Sequence, residues 1–199
     1  MKKLIFILIS FLIWIQGAQA AVDPQKAEAF MSNIGSTVIN LLTDKSISDQ
    51  QRADKFQEIL ETSFNVKAGA KFVLGRYWNQ ATEEQKQDFI NLFKATTVAS
   101  YATRFKEYTS QKFEITGSRA ESDGGVTVLS RIIREKGTPI SIDWKIFEKN
   151  GEMRIYDVVL EGISMSVTLR SEYAAVIQQG GGKVQILINA LQKKLQSYK

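Results

Sequence analysis

The side chains of this chain that could do acid–base chemistry are a few carboxylates and phenols. The sequence contains no cysteine and no histidine, which excludes a thiolate nucleophile, an imidazole base, a catalytic triad and cysteine-bound zinc. The remaining candidates are Asp157, Asp143, Tyr101, Tyr108 and Tyr156. A half-buried carboxylate at Asp157 could abstract a proton from an apolar substrate. The alternative role of Asp157 is structural, as an acceptor of hydrogen bonds from backbone amides, an arginine or the indole of Trp144.

Aromatic side chains are a second feature, because they are concentrated in the N-terminal half of the chain. They are Phe30, Phe56, Phe64, Phe72, Tyr77, Trp78, Phe89, Phe93, Tyr101, Phe105 and Tyr108. At helical spacing such residues pack into a core, and as a group they could also line an apolar cavity. A filled core and a hollow one have the same periodicity, so both interpretations stay open.

The elements that position these side chains begin with helices. Caps are predicted at Asp23 before Pro24, at Ser48 with Gln51, and at Thr82 with Gln85, and a short helix is predicted over 66–74. After Gly162 the helical period returns, and two C-terminal helices are separated by the triplet Gly180–Gly182. Because this triplet follows a helix and not a strand, it indicates a helix break and not a phosphate-binding loop.

From Lys112 the period changes from about 3.6 to about 2 residues, which predicts strands. Asn150-Gly151 predicts a two-residue hairpin turn, because both turn positions need positive φ. The resulting register pairs Ile146 with Ile155, Trp144 with Asp157, and Ile142 with Val159. One face of this hairpin is then apolar apart from Asp157.

These patterns predict an α+β fold in which a twisted antiparallel sheet of about four strands is covered on one face by N- and C-terminal helices. A curved sheet covered in this way can enclose an internal apolar cavity. No linker or repeat divides the chain after residue 20, so we expect residues 21–199 to form a single domain.

Residues 1–20 have the pattern of a cleavable signal peptide. Lys2 and Lys3 precede an apolar run, and Ala18-Gln19-Ala20 is the small-x-small pattern at which cleavage is expected, near Ala20. The alternative is a membrane anchor, but the run is shorter than the ~20 residues that span a bilayer. Without cysteine there is no lipid attachment, so we expect a freely diffusing periplasmic protein.

The net charge of +5, from 26 Lys and Arg against 21 Asp and Glu, falls to +3 once Lys2 and Lys3 are removed. The basic residues are scattered, with no run of four or more, so no nucleic-acid partner is predicted. We also expect no metal and no cofactor, and a monomeric protein.

Two segments of the sequence resemble the MlaC family of periplasmic proteins, also known as toluene-tolerance or organic-solvent-resistance auxiliary components. The first runs from Val73-Leu74-Gly75-Arg76-Tyr77-Trp78 to Tyr108, and the second from Ile155-Tyr156-Asp157-Val158 through Gly162 to Met165, Arg170 and Tyr173. The likeness covers essentially the whole mature chain. Asn65 is a departure, because Asp is expected before the short helix, and it should affect only a helix cap.

The resemblance implies a phospholipid carrier with no catalytic residues. Such a carrier holds both acyl chains inside the protein and moves between an outer-membrane lipoprotein complex and an inner-membrane ABC transporter with an MCE-domain subunit, so maintaining outer-membrane lipid asymmetry. A carrier of hopanoid or another hydrophobic lipid is an alternative, and an enzyme that uses Asp157 on a hydrophobic substrate is an alternative from another class.

We expect an apolar pocket with lining residues from the sheet and from the helices. They are Val126, Val128, Ile142, Trp144, Ile146, Ile155 and Val159 from the sheet, and Leu74, Trp78, Phe93, Phe105, Met165 and Tyr173 from the helices. Arg76 and Arg104 are candidates for contact with a phosphate head group. Their alternative role is that of solvated or partner-docking charges.

Overall fold

The computed structural model of the protein describes residues 21–102 and 111–198. The helices are α1 (Pro24–Thr43), α2 (Asp49–Ser63), α3 (Val66–Leu74), α4 (Glu83–Ala102), α5 (Met165–Gln179) and α6 (Val184–Gln196), with a 3-10 helix at Gly75–Asn79. The strands are β1 (Lys112–Ala120), β2 (Val126–Ile133), β3 (Ile140–Lys149), β4 (Glu152–Leu160) and β5 (Ile163–Ser164). The predicted signal peptide and the candidates Arg104, Phe105 and Tyr108 lie outside the described residues. In the ranges that are described, no helix is both long and apolar enough to cross a membrane.

The N-terminal helices begin at the predicted caps. The side chain of Asp23 accepts a hydrogen bond from the N–H of Gln25, the second residue of α1, at 2.9 Å. Ser48 and Gln51 form a reciprocal capping box at 3.2 and 2.8 Å, and Thr82 and Gln85 repeat it at 3.1 and 3.2 Å. These hydrogen bonds satisfy N–H groups that have no partner inside the helix, and they confirm the predicted helix starts.

Helix α3 has the predicted bounds, Val66–Leu74. Asn65 caps it, because its side chain accepts a hydrogen bond from the Ala68 N–H at 3.1 Å, and Gly75 ends it with a φ of 57°. The replacement of the expected Asp by Asn therefore keeps the cap.

The strands form one antiparallel sheet in the order β1-β2-β3-β4-β5. Asn150 and Gly151 have φ values of 55° and 79°, and Ile146 pairs with Ile155, which confirms the predicted turn and the register next to it. The short strand β5 pairs with the end of β4 and adds a fifth strand to the four that were predicted.

Strand β4 contains a bulge, and the register predicted for the hairpin is wrong beyond it. Between the pair Ile146–Ile155 and the pair Lys145–Asp157, β4 holds one extra residue, Tyr156. Such a bulge shifts every later residue of its strand by one position relative to the partner strand. Periodicity assumes unbroken alternation, which is why the prediction fails from this point.

The bulge changes the face on which two predicted residues lie. Asp157 does not pair with Trp144, and Val159 pairs with Asp143 instead of Ile142. Because paired residues of an antiparallel sheet share a face, Asp157 and Val159 lie on the face opposite Trp144. The prediction that these two residues belong to the apolar face is therefore wrong.

The buried side chains form two apolar clusters. The sheet cluster joins α1 to the sheet, and its buried members are Val22, Ala27, Met31, Val126, Val128, Ile146 and Ile155. The helix cluster is built by α3, the 3-10 helix, α4, α5 and α6, and its buried members are Ala70, Val73, Leu74, Tyr77, Ala81, Phe89, Tyr173, Ile177, Val184, Leu187, Ile188 and Leu191. The core is thus divided into two parts.

The α+β class is confirmed, and the helices share the covering of the sheet unequally. Helix α1 contacts β1 and β2, and it approaches so closely that Gly35 has no room for a Cβ beside the ring of Phe113. Helix α5 contacts β4 but packs also against α3, and α6 packs against α4. The apolar faces of the C-terminal helices are therefore used mainly to build the helix cluster.

Candidate functional site

The residues predicted to line a pocket are divided between the two clusters. Val126, Val128, Trp144, Ile146 and Ile155 belong to the sheet cluster, whereas Leu74, Trp78, Phe93 and Tyr173 belong to the helix cluster. Ile142 is buried, and Val159 and Met165 are half-buried. The structure thus brings together two sets of candidates, one on each side of the divided core.

Sequence reasoning left out several apolar side chains that border the sheet cluster. Phe30, Ile34, Phe64, Phe113, Ile115, Met153 and Val158 are half-buried and pack against it. The ring of Phe113 meets Trp144 edge to face, with centroids 6.3 Å apart. Val158 takes the position opposite Trp144 that had been assigned to Asp157, and Leu160 takes the position opposite Ile142 that had been assigned to Val159. The signal for this exchange is the polar Asp157 at a position where strict alternation requires an apolar residue.

Trp144 is held in place by a buried polar side chain. Its indole N–H donates to Ser130 Oγ at 2.9 Å, and the Ser130 hydroxyl donates to the carbonyl oxygen of Ile142 at 2.7 Å. This pair of hydrogen bonds satisfies the indole N–H and orients the ring at the half-exposed border of the sheet cluster.

Two connections along β4 join the helices to the sheet. At the first, the Asn65 N–H between α2 and α3 donates to the Ile155 carbonyl at 3.1 Å. At the second, the carboxylate of Asp157 binds the start of α5. The two clusters are therefore connected at neighbouring positions on one strand.

Asp157 serves as a cap for α5. Its Oδ1 accepts hydrogen bonds from the N–H groups of Ser166 at 3.1 Å and Val158 at 2.9 Å, and its Oδ2 accepts one from the Ser164 hydroxyl at 2.7 Å. The side chain is 8% exposed. The structural role considered for Asp157 is thus the one observed: its donors are two backbone amides and the Ser164 hydroxyl, and neither an arginine nor the Trp144 indole is among them.

The candidate phenols do not supply an obvious acid. Burial raises the pKa of Tyr156 to about 12, with nearby Asp123, Glu121 and Asp157 adding to the rise. The Tyr156 ring packs against Phe147 with centroids 5.0 Å apart, whereas Tyr101 is exposed and packs against Phe56. Among the described residues there is also no group of three or more acidic side chains placed to hold a metal ion.

Of the two arginines considered for head-group contact, the structure describes Arg76. Its guanidinium lies 5.0 Å from the centre of the Tyr77 ring and donates a hydrogen bond to the Tyr77 hydroxyl at 2.9 Å. Because Tyr77 is buried in the helix cluster, this contact anchors the guanidinium end of Arg76, a residue that is otherwise exposed.

A solvent-open groove of about 660 Å³ lies where α2, α3, α4 and the β3–β4 turn meet. We call this the basic groove, and its polar lining consists of Lys67, Lys94, Lys149, Arg154, Glu61, Glu152, Asn65, Gln87, Asn91 and Asn150. A second groove of about 420 Å³ shares Asn65 and Lys67 with it and adds Lys71, Lys86, Glu83 and Trp78. Sequence reasoning did not identify either groove, because these residues are scattered along the chain.

Comparisons with known proteins agree with the family resemblance. A family model described as MlaC protein matches residues 33–193. The intermembrane phospholipid transport system binding protein MlaC of Haemophilus influenzae is 28% identical over 130 residues, which cover 63% of this chain and 59% of that protein. The toluene tolerance protein ttg2D of Pseudomonas putida is 24% identical over 106 residues, which cover 53% of this chain and 49% of that protein. The chain thus aligns with about half to three-fifths of the length of these curated relatives.

A solved structure shares the fold. It is a phospholipid-binding protein from Ralstonia solanacearum in complex with a phospholipid, with a TM-score of 0.71 and 22% sequence identity. The superposition covers 89% of this chain and 99% of that one.

Proposed function

Because the chain belongs to the MlaC family, we propose that it is a periplasmic carrier that encloses a phospholipid, with both acyl chains between its two apolar clusters and the head group outside. The name of the Haemophilus influenzae relative includes phospholipid transport, and the solved neighbour is in complex with a phospholipid. The carrier performs no covalent chemistry in this proposal and needs no metal or cofactor.

The observation that carries the proposal is the divided core. A core that only stabilises a fold packs most of its large apolar side chains closely against one another, with few gaps. In this chain Trp144, Phe113 and Phe64 beside the sheet cluster, and Trp78 and Phe93 beside the helix cluster, are all half-buried. Apolar side chains in this state on both sides of the division are suited to contact with acyl chains.

The energetics require enclosure. Each methylene removed from water contributes about 0.8 kcal/mol, so two chains of roughly 15 carbons would cost more than about 20 kcal/mol if they crossed the periplasm exposed. Transfer from a bilayer to an apolar pocket is near neutral for the chains, because both surroundings are apolar. Small differences in affinity at the docking partners are then sufficient to set the direction of transfer.

The proposed pocket is lined by the predicted residues, with Val158 in place of Val159. In this proposal Arg76 contacts a phosphate at the mouth of the pocket, and Arg104 is the second candidate. Export would use residues 1–20 as a signal peptide cleaved near Ala20 and release residues 21–199 as a monomeric domain. The proposed partners are an outer-membrane lipoprotein complex and an inner-membrane ABC transporter with an MCE-domain subunit.

Native mass spectrometry of the protein purified from a Gram-negative periplasm tests the proposal. We expect a chain that begins at Ala21 with one bound phospholipid, identified after solvent extraction. Recovery of a hopanoid would show that the cargo belongs to another lipid class. A protein that carries no lipid after gentle purification would refute the proposal that it is a carrier. A matched pair of variants localises the site: Trp144→Ala should lower lipid occupancy, whereas Ile186→Ala, on the exposed side of α6, should leave it unchanged.

A further inference from the structure

We propose that the basic groove, together with the second groove beside it, is a docking surface for an acidic segment of a protein partner. The inference rests on the charges and amides of these grooves and does not depend on the identity of the cargo. Arg76, the head-group candidate that the structure describes, is not among the residues that line either groove.

The charge of this surface is only partly neutralised by the protein itself. Lys94 pairs with Glu61 at 2.6 Å, Arg154 with Glu152 at 2.9 Å, and Lys86 with Glu83 at 2.7 Å. Lys67, Lys71 and Lys149 are exposed and make no ion pair within the described part of the chain. Three unpaired positive charges therefore remain along two adjoining grooves, and they attract carboxylates.

The amide side chains give this surface a second property. Asn65, Gln87, Asn91 and Asn150 line the basic groove, and an amide side chain carries both donors and an acceptor with two lone pairs. Asn65 Oδ1 already accepts from the Ala68 N–H and Gln87 Nε2 donates to Asn91 Oδ1 at 3.2 Å, so a partner would use the remaining bonding capacity of these amides. Such groups can pair with the N–H and C=O groups of a polypeptide backbone. The first turn of α3 begins at the same place, and its N–H groups favour negative charge.

The same features favour a protein partner over a bilayer surface. Glu61, Glu83 and Glu152 stand among the lysines, and they would repel the uniform negative charge of an anionic membrane. A concave groove of about 660 Å³ also admits an extended segment, whereas a flat bilayer would not fill it. The occupant that fits is a loop or terminus that alternates acidic and small residues.

The test uses the purified mature protein and a fluorescein-labelled peptide of alternating glutamate and glycine, with fluorescence anisotropy as the readout. The double variant Lys67→Glu/Lys149→Glu should bind the peptide about tenfold more weakly. Loss of one exposed charge interaction lowers the affinity a few-fold, and reversal of the charge replaces attraction by repulsion and so has about twice the effect on the binding free energy. Lys67 lies in the first turn of α3, where glutamate is favoured, so the variant should fold.

The matched control is Lys26→Glu/Lys45→Glu, which has the same net charge and alters two exposed lysines on the α1 side of the molecule. We expect its affinity to stay within about twofold of the unmodified protein, and we expect binding to weaken with salt. Equal weakening in both double variants, or no weakening in either, would overturn the proposal. The proposal would also be overturned if the peptide does not bind but vesicles that contain phosphatidylglycerol do, and if that vesicle binding depends on Lys67 and Lys149.

Discussion

Replacement of Asp157 by alanine should destabilise the fold more than any other single change to a carboxylate on the sheet. The carboxylate is buried and accepts hydrogen bonds from Ser164, Ser166 and Val158. Two of these donors belong to the start of α5, where the Oγ of the N-cap residue Ser164 accepts a hydrogen bond from the Val167 N–H at 3.2 Å. The substitution therefore removes one of two caps of α5 and one of the two connections between the helices and β4.

The magnitude follows from those three hydrogen bonds. A hydrogen bond to a charged acceptor contributes about 1.5–3 kcal/mol, and an unsatisfied buried donor costs a comparable amount. The Ser164 hydroxyl can turn to another acceptor such as Ser166 Oγ, 3.3 Å away, which recovers part of the loss. We therefore expect Asp157→Ala to lower the free energy of unfolding by about 3 kcal/mol.

The assay is urea denaturation followed by circular dichroism, with the free energy of unfolding extrapolated to water. Asp157→Asn is the informative companion, because its side-chain oxygen can still accept the two N–H bonds while the charge is lost. We expect it to cost about 1 kcal/mol and to leave lipid loading unchanged. Asp143→Ala is the matched control, since Asp143 is half-buried on β3 and no hydrogen bond to it is found among the described residues, and it should change stability by less than about 0.5 kcal/mol.

An Asp157→Ala protein as stable as the control variant would show that the cap contributes nothing, and the reasoning about the β4 connection would fail. A different outcome would revive the catalytic alternative: an Asp157→Asn protein that folds normally but no longer processes or transfers its ligand. The two variants therefore separate a structural carboxylate from a reactive one.

Two further predictions concern packing and pH. Gly35→Ala should destabilise the protein by about 1–3 kcal/mol, because the new Cβ would clash with the Phe113 ring. Gly69→Ala, whose Cβ would lie 3.8 Å from Phe93, should be neutral or stabilising by up to about 1 kcal/mol. Urea denaturation of both variants checks this, and equal changes in the free energy of unfolding would contradict it. Burial raises the pKa of Tyr173 to about 12, so its stabilising contribution should be complete below pH 10 and be lost as the pH rises through 12. Tyr173→Phe should remove this alkaline dependence, which amounts to at most about 3 kcal/mol, and an unchanged pH profile of stability would show that the phenol ionises freely in the folded state.

Local signals in the sequence predicted the parts of the fold that local chemistry determines. The caps at Ser48 and Thr82 and the turn at Asn150-Gly151 are each formed by residues within three positions of one another. The bulge at Tyr156 depends instead on what lies across the sheet and beyond it, since it turns Asp157 toward the start of α5. Periodicity carries no information about such a distant partner.

The divided core was beyond prediction for a similar reason. The amphipathic pattern of a helix indicates how much apolar surface the helix buries, but not which partner covers that surface. Both α1 and α5 have apolar faces that would fit the sheet. The choice is made by close contacts between distant residues, such as Gly35 of α1 against Phe113 and Phe89 of α4 against Tyr173 of α5, whose ring centroids are 5.9 Å apart. The predicted lining residues were assigned to one space, whereas the structure divides most of them between two clusters.

The position of the basic groove gives it a consequence for the proposed carrier. Phe64 and Asn65 line the basic groove and belong to the segment that binds β4 at Ile155. Arg154, the residue before Ile155 on β4, also lines this groove. A partner segment in the groove would contact the residues that hold the helices to the sheet. If the partner binds more tightly when the two clusters are apart than when they are together, docking would favour their separation, and the size of the effect is set by that difference in affinity. The double variant Lys67→Glu/Lys149→Glu should lose both the docking and this coupling, while its pocket stays intact. We therefore expect it to retain bound lipid but to deliver the lipid more slowly than the Lys26→Glu/Lys45→Glu control.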